Sequence, residues 1–140
     1  MLVNAIAPTL FAVGSLDDAA GPRLLGARRR ADGKLHFPCP PNLDPAEWGI
    51  EELPVNGTLW SFTVQRFRLK SPPYAGPEAF TPYAVGYIEL PGAIIIESRI
   101  VGVPFERLRI GMSMRLVTEP IALSGEVRIS FAFTSREDAA

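Results

Sequence analysis

The sequence predicts an all-β fold whose strands are short and joined by many turns. Of the 140 residues, 47% are hydrophobic and 21% are charged, which is the ordinary composition of a globular domain. The 14 Pro and 12 Gly are many for so short a chain, and they favour turns over long helices. From Gly57 onward, apolar and polar side chains alternate with a period of two, the pattern of half-buried strands. A chain of this length can bury one core, so we expect one main domain with a short appendage.

Five strands are predicted in the part of the chain after Gly57. They span residues 58–67, 83–90, 93–100, 113–119 and 127–134. In the first of them, the alternation predicts that Trp60, Phe62 and Val64 share one face.

The connections between these strands indicate the topology. The Pro91-Gly92 turn should join the second and third strands as a hairpin. Residues 104–110 are predicted to form one helical turn that stops at Gly111. Five strands with a short helical element between the third and the fourth are typical of the OB-fold, a partly open Greek-key barrel. An SH3-like barrel is the structural alternative.

The N-terminal third is predicted to be less regular. Residues 1–22 show no sustained period and are interpreted as a loosely structured arm. A hairpin is predicted around Asp32-Gly33, and the prolines and acidic residues that follow it indicate a linker. We therefore divide the chain into an arm (1–22), a hairpin with its linker (23–54) and an OB-fold domain (55–136).

Charge and cysteine content exclude several function classes. Fourteen basic and fifteen acidic side chains give a net charge of -1. The chain therefore does not have the positive electrostatic field that is expected of a dedicated nucleic-acid-binding protein. A single cysteine, Cys39, cannot form an internal disulfide and fits a reducing compartment such as the cytoplasm. No segment approaches the ~20 apolar residues of a membrane-spanning helix, so no membrane association is expected.

The sequence does not predict a catalytic or metal site. His36 and Cys39 are the single His and Cys, and two soft ligands do not make a closed zinc site or a nucleophile with its base and orienting group. The carboxylate pairs Asp17-Asp18 and Glu51-Glu52 lie in segments predicted to be exposed, where no desolvation would raise their pKa values for acid–base catalysis.

A basic row and an aromatic loop are the candidate binding residues. Arg66, Arg68 and Lys70 recur at every second position, so in an extended strand they would project from one side and could hold phosphates. Protection of a sheet edge by cations is the equally supported alternative. The loop that follows carries Tyr74 and Phe80 and leads into Tyr83; an interface for a partner or a flat ring is favoured slightly over core capping.

Three sequence blocks carry a resemblance to a known family. They are GTLWSFTV (57–64), PYAVGYIEL (82–90) and LRIGM (108–112). In their order and spacing the chain resembles, over roughly residues 24–134, the acyl-CoA-associated OB-fold proteins with an N-terminal rubredoxin-like zinc ribbon. The resemblance implies a ribbon followed by an OB barrel, bound to a thiolase-superfamily or hydratase enzyme. It also implies a non-catalytic role in which the protein supports the partner's active site or helps hold the acyl-CoA.

The chain departs from this family in the ribbon. The resemblance implies two Cys-x-x-Cys pairs, but Arg29, Asp32 and Asn42 stand at three of the ligand positions and Cys39 remains alone. One soft ligand cannot hold structural zinc, so a metal-free ribbon is expected. The sequence thus favours an auxiliary subunit with acyl-CoA as its possible ligand. A single-stranded nucleic-acid-binding OB-fold protein is the alternative, and an independent enzyme that uses carboxylates is not supported.

Overall fold

The computed structural model describes residues 9–66, 81–123 and 125–136, and its strands form two sheets. A small antiparallel sheet, here called the N-terminal sheet, consists of β1 (Leu25–Arg29), β2 (Leu35–His36) and β3 (Trp48–Glu52), with β1 in the middle. Five longer strands close a barrel: β4 (Asn56–Gln65), β5 (Tyr83–Leu90), β6 (Ile94–Ile100), β7 (Ser113–Leu123) and β8 (Glu126–Ser135). In the described ranges, helix is limited to 3-10 turns at Ser15–Asp17 and Phe105–Arg107. The predicted all-β, five-stranded OB-fold is confirmed.

The barrel strands follow the order β4-β5-β6-β8-β7, and β7 closes the barrel by pairing with β4 over residues 56–58. All neighbours are antiparallel except β6 and β8, which are parallel. Large apolar side chains fill the interior because alternate residues of each strand point inward. The most deeply buried of these on the barrel strands are Leu59, Ile88, Leu90, Met114 and Phe133.

Glycines in the left-handed region make two of the predicted hairpins. Gly33 has φ 70° in the turn between β1 and β2, and Gly92 has φ 69° in the turn between β5 and β6. Side chains with a Cβ rarely adopt this conformation. The hairpins predicted at Asp32-Gly33 and Pro91-Gly92 are both present.

A β-bulge in β4 overturns one predicted face. The register of β4 against β5 shifts between Leu59 and Ser61, which makes Trp60 an extra residue in the ladder. Trp60 is 55% exposed, whereas Phe62 and Val64 pack against the core. The prediction that the three share one face is therefore wrong, because a bulge breaks the period of two and re-aims a side chain.

Two further differences concern the N-terminal third. Leu10 and Phe11, predicted to lie in a loose arm, are each 5% exposed and belong to the core, and Phe11 bridges to Leu24. β3 lies inside the predicted linker and pairs along its whole length with β1. Both segments are ordered by long-range contacts rather than by their own pattern.

The N-terminal sheet and the barrel share one hydrophobic core. Leu24 and Leu53 belong to the same buried cluster as the barrel residues, and the Phe37 ring meets the Phe131 ring of β8 edge-on, with centroids 5.4 Å apart. None of the helical turns in the described ranges is long and apolar enough to cross a membrane.

Candidate ligand and partner site

A cleft opens in the barrel wall where β6 separates from β8. The two strands pair at Ile100 and Phe133, and beyond this point a space of about 720 Å³ lies between β5–β6 and the β7–β8 hairpin. This volume is within the range of small-molecule sites. The cleft is lined by Thr81, Pro82, Tyr83, Val85, Glu97, Ser98, Arg99, Glu119, Ile121, Ser130 and Phe131.

An ion pair crosses the cleft and holds its walls together. The Arg99 guanidinium donates from Nε to Glu119 Oε2 at 3.1 Å, and its Nη2 lies 3.0 Å from Oε1. This two-point geometry is the strong form of an Arg–carboxylate contact. The same guanidinium lies 4.9 Å from the centroid of the Tyr83 ring. Because Glu119 balances the charge of Arg99, this guanidinium is not an open cation. The carboxylate of Glu97 also lines the cleft, beside apolar and aromatic side chains.

Ser98 is one of the hydroxyl-bearing residues that line the cleft. The Ser98 hydroxyl donates to the backbone carbonyl of Arg99 at 2.9 Å, which is a structural hydrogen bond. Nucleophilic catalysis would require a base within reach of such a hydroxyl. The apolar and aromatic side chains among the lining residues suit binding of an apolar or planar group.

Two of the predicted binding residues lie together at this end of the barrel. Tyr83 begins β5 and lines the cleft, and it pairs in the ladder with Gln65, the last residue of β4. Arg66 follows directly, is exposed, and has its guanidinium 5.6 Å from the centroid of Phe105. Since β4 ends at Gln65, Arg66 lies just beyond the strand predicted to contain it. The other predicted residues, Arg68, Lys70, Tyr74 and Phe80, lie outside the described ranges.

Sequence reasoning missed Arg99 and Glu119. Arg99 occupies an outward position in the alternation of β6, so its exposure could have been predicted. Its pairing with Glu119 could not, because the carboxylate comes from another hairpin.

The predicted ligand positions of the ribbon are occupied by structural contacts. The Arg29 guanidinium lies 5.1 Å from the Trp48 ring centroid, and Asp32 accepts the Lys34 N–H at 3.0 Å. This hydrogen bond lowers the pKa of Asp32. Asn42 adopts a positive φ of 59°. No cluster of three or more His, Cys, Asp or Glu side chains that could hold a metal occurs in the described ranges.

Cys39 and His36 do not form a catalytic relay in the described ranges. Cys39 is buried, its Sγ lies 3.5 Å from the Pro40 carbonyl oxygen, and burial raises the pKa of the thiol. A raised pKa keeps the thiol protonated and weakly nucleophilic. The His36 ring instead meets Trp48 edge-on at 5.3 Å.

Three of the four carboxylates considered for acid–base chemistry form ion pairs. Asp18 Oδ2 lies 2.7 Å from Arg23 Nη2, and its pKa is lowered, first by the Ala20 N–H and then by Arg23. Glu52 contacts the same guanidinium at 3.0 Å, and Glu51 contacts Arg28 at 2.6 Å.

Comparison with known proteins shows which family the barrel is similar to. Residues 51–119 match the family model described as ChsH2, C-terminal OB-fold domain. The barrel is therefore similar to this OB-fold family. The match confirms the predicted resemblance for the OB-fold part of the chain, and it leaves the zinc ribbon as a prediction.

A solved structure shares the fold over most of the chain. The structure named Ltp2-ChsH2(DUF35) aldolase superposes with a TM-score of 0.60 at 23% sequence identity, and the match covers 81% of this chain and 84% of that chain. At this identity the likeness shows the fold. The search of curated proteins found no match.

Proposed function

We propose that this protein is a non-catalytic, acyl-CoA-associated auxiliary subunit of a thiolase-superfamily enzyme (a thiolase, aldolase or acyltransferase) or of a hydratase. The observation that carries the proposal is the ChsH2-type barrel, because a solved structure of the same fold is named as an Ltp2-ChsH2 aldolase. The contacts of Cys39, His36 and the carboxylates support a role without chemistry of its own.

The Tyr83 end of the barrel is the proposed contact for acyl-CoA or for the partner. Arg66 is exposed there, and the apolar cleft beside Tyr83 can accept an acyl or ring group. Arg68 and Lys70 would add charge for CoA phosphates, and Tyr74 and Phe80 would add aromatic surface.

The single-stranded nucleic-acid alternative is less well supported. Such proteins combine basic grooves with stacking aromatics. Here the exposed Trp60 and Tyr87 lie beside Glu89 and Glu97, which would repel a phosphate backbone.

Co-expression with the thiolase-superfamily enzyme encoded nearest to this chain tests the proposal. We expect the two proteins to purify as one complex. Thioester or aldol turnover should require the enzyme, and the isolated chain should show none. Mass and stoichiometry of the complex are measured by size-exclusion chromatography with light scattering, and turnover is measured with and without this chain.

Two results would contradict the proposal. One is the absence of a complex with any thiolase-superfamily or hydratase enzyme of the same genome. The other is turnover by the isolated chain that disappears in Cys39→Ala. Tight, salt-dependent binding to a single-stranded oligonucleotide without enzyme binding would favour the alternative.

A further inference from the structure

The outer face of the β4–β5–β6 sheet carries an exposed apolar group with a defined arrangement. Trp60, Tyr87 and Ile95 are 55%, 47% and 42% exposed. Tyr87 pairs with Glu97 across β5 and β6, and Glu89 pairs with Ile95, so the two apolar side chains lie on a diagonal with a carboxylate beside each. Directly opposed Cβ atoms in such a ladder lie about 5 Å apart.

The bulge in β4 separates Trp60 from the inward side chains that follow it. Leu59 is fully buried, so Trp60 next to it faces outward, and the shift between Leu59 and Ser61 then turns Phe62 and Val64 inward. The Trp60 ring meets Tyr87 edge-on, with centroids 6.4 Å apart. Aromatic pairs of this geometry hold each other in place, so the rings are oriented before any partner binds.

The charges at this face select the kind of partner. Glu89 and Glu97 are exposed, and neither carboxylate has an ion pair among the residues that the structure describes. By contrast, Arg99 two positions along β6 is already engaged by Glu119. The face therefore has an apolar centre with an unbalanced negative border, which complements a surface with Lys or Arg around an apolar centre.

The same charges argue against a second copy of this chain. A two-fold contact would bring this patch against itself and would place Glu89 and Glu97 near the same carboxylates of the other copy. Like charges at a contact oppose association. Exposed Trp and Tyr in an ordered arrangement are nonetheless typical of the centres of protein interfaces.

We propose that Trp60, Tyr87 and Ile95, with Glu89 and Glu97, form the docking face for a partner-protein surface that is apolar at its centre and bordered by Lys or Arg. This inference rests on the proposed function and names the surface through which the partner enzyme binds. It places the partner contact next to the cleft at Tyr83, which Glu97 also lines and which is proposed for the acyl ligand.

Binding of the purified partner enzyme to immobilised variants tests the docking face. Trp60→Ala should raise the dissociation constant at least about tenfold, as expected for a central aromatic residue. The double change Glu89→Lys with Glu97→Lys should slow association and reverse its dependence on salt, because steering by opposite charge is lost. The double Lys variant should keep the wild-type melting temperature, because Glu89 and Glu97 are exposed. Trp60→Ala should stay folded with a small loss of stability from its contact with Tyr87.

Matched controls come from the rest of the surface. Ile50→Ala removes an apolar side chain that is 58% exposed on the N-terminal sheet, and Asp17→Lys reverses an exposed charge in the first 3-10 turn. Each should change the dissociation constant by less than about twofold.

These measurements distinguish failure of the docking face from failure of the proposed function. If the wild type binds the enzyme and Trp60→Ala binds as tightly as Ile50→Ala, the docking face is refuted and the proposed function stands. Tighter binding by the double Lys variant would refute the basic partner surface. Self-association of the wild type that is abolished by Trp60→Ala would identify a second copy as the occupant and overturn the proposal. If no thiolase-superfamily or hydratase enzyme binds the wild type, both the proposed function and the docking face are refuted.

Discussion

Gly86 illustrates how a single missing side chain shapes the barrel. It is buried in β5, and a Cβ at this position would lie 2.8 Å from both Leu59 Cδ1 and Ile100 Cδ1 and 2.9 Å from the Ser61 backbone oxygen. The side-chain contacts could relax, but the backbone oxygen belongs to the neighbouring strand and cannot move freely. The close approach of β4, β5 and β6 therefore requires glycine here.

We expect Gly86→Ala to destabilise the protein by about 1–3 kcal/mol, the usual cost of overpacking. Gly49→Ala is the matched control, because its added Cβ would lie no nearer than 3.7 Å to Arg30 and the backbone there has ordinary dihedral angles. It should be neutral or stabilising by about 0.4–1 kcal/mol. Urea unfolding of both variants measures the difference, and equal free energies of unfolding would show that the barrel wall adapts to an extra methyl group.

At the scale of the strand, the longer strands could be predicted from their apolar pattern and the shorter ones could not. The strands of the barrel are seven or more residues long, and their apolar pattern was enough to locate them from the sequence. β3 has five residues, and its Ile50 faces solvent, so nothing local marks it as a strand. Its order comes from pairing with β1 and from the hydrogen bond from Leu53 N–H to the Leu24 carbonyl. Such pairing depends on the tertiary fold, which a local pattern does not encode.

Some residues of the candidate site could likewise be predicted from the sequence and others could not. Tyr83 was predicted because it begins a strand after an aromatic, proline-rich loop, and the structure places it in a cleft. Trp60 was assigned to the wrong face because a bulge has no signature in the alternation itself. The Arg99–Glu119 pair joins two hairpins and was missed for want of any local signal.

The N-terminal sheet is held together without a recognisable metal site in its described residues. Arg28 binds Glu51 with two nitrogens and donates to the Gly33 carbonyl at 2.7 Å, while Arg30 donates to the carbonyls of Pro45 and Trp48. Leu35 packs against the shared core behind them. These contacts join β1, β2 and β3 in the region where a zinc ribbon would use thiolates.

We therefore expect the purified protein to contain no stoichiometric zinc, because side chains that cannot replace thiolates stand at positions 29, 32 and 42. Elemental analysis by mass spectrometry measures the metal content, and a strong chelator should leave the melting temperature unchanged. About one zinc per chain, with a melting temperature lowered by the chelator, would show that the ribbon alignment is wrong.

At the scale of the whole molecule, the two sheets share one continuous core. The buried cluster runs from Leu10 and Phe11 through Leu24 and Leu53 into the barrel interior without interruption. Hydrogen bonds also join the segment before β1 to the N-terminal sheet, since Ala12 N–H donates to the Arg23 carbonyl and Leu25 N–H donates to the Leu10 carbonyl. A single continuous core favours a single unfolding transition.

The two tryptophans allow this to be tested, because Trp48 lies in the N-terminal sheet and Trp60 in the barrel. Trp60→Phe leaves the fluorescence of Trp48 as a probe of the sheet, and Trp48→Phe leaves Trp60 as a probe of the barrel. The urea midpoints of the two probes should coincide with each other and with the far-ultraviolet circular dichroism of the wild type. Phe11→Ala, introduced into each background, should lower both midpoints together and cost roughly 3–5 kcal/mol, since it empties part of the shared core. Separate midpoints, or a loss confined to the Trp48 signal, would mean that the sheet and the barrel unfold independently and that the contacts at Phe11 stabilise only the sheet.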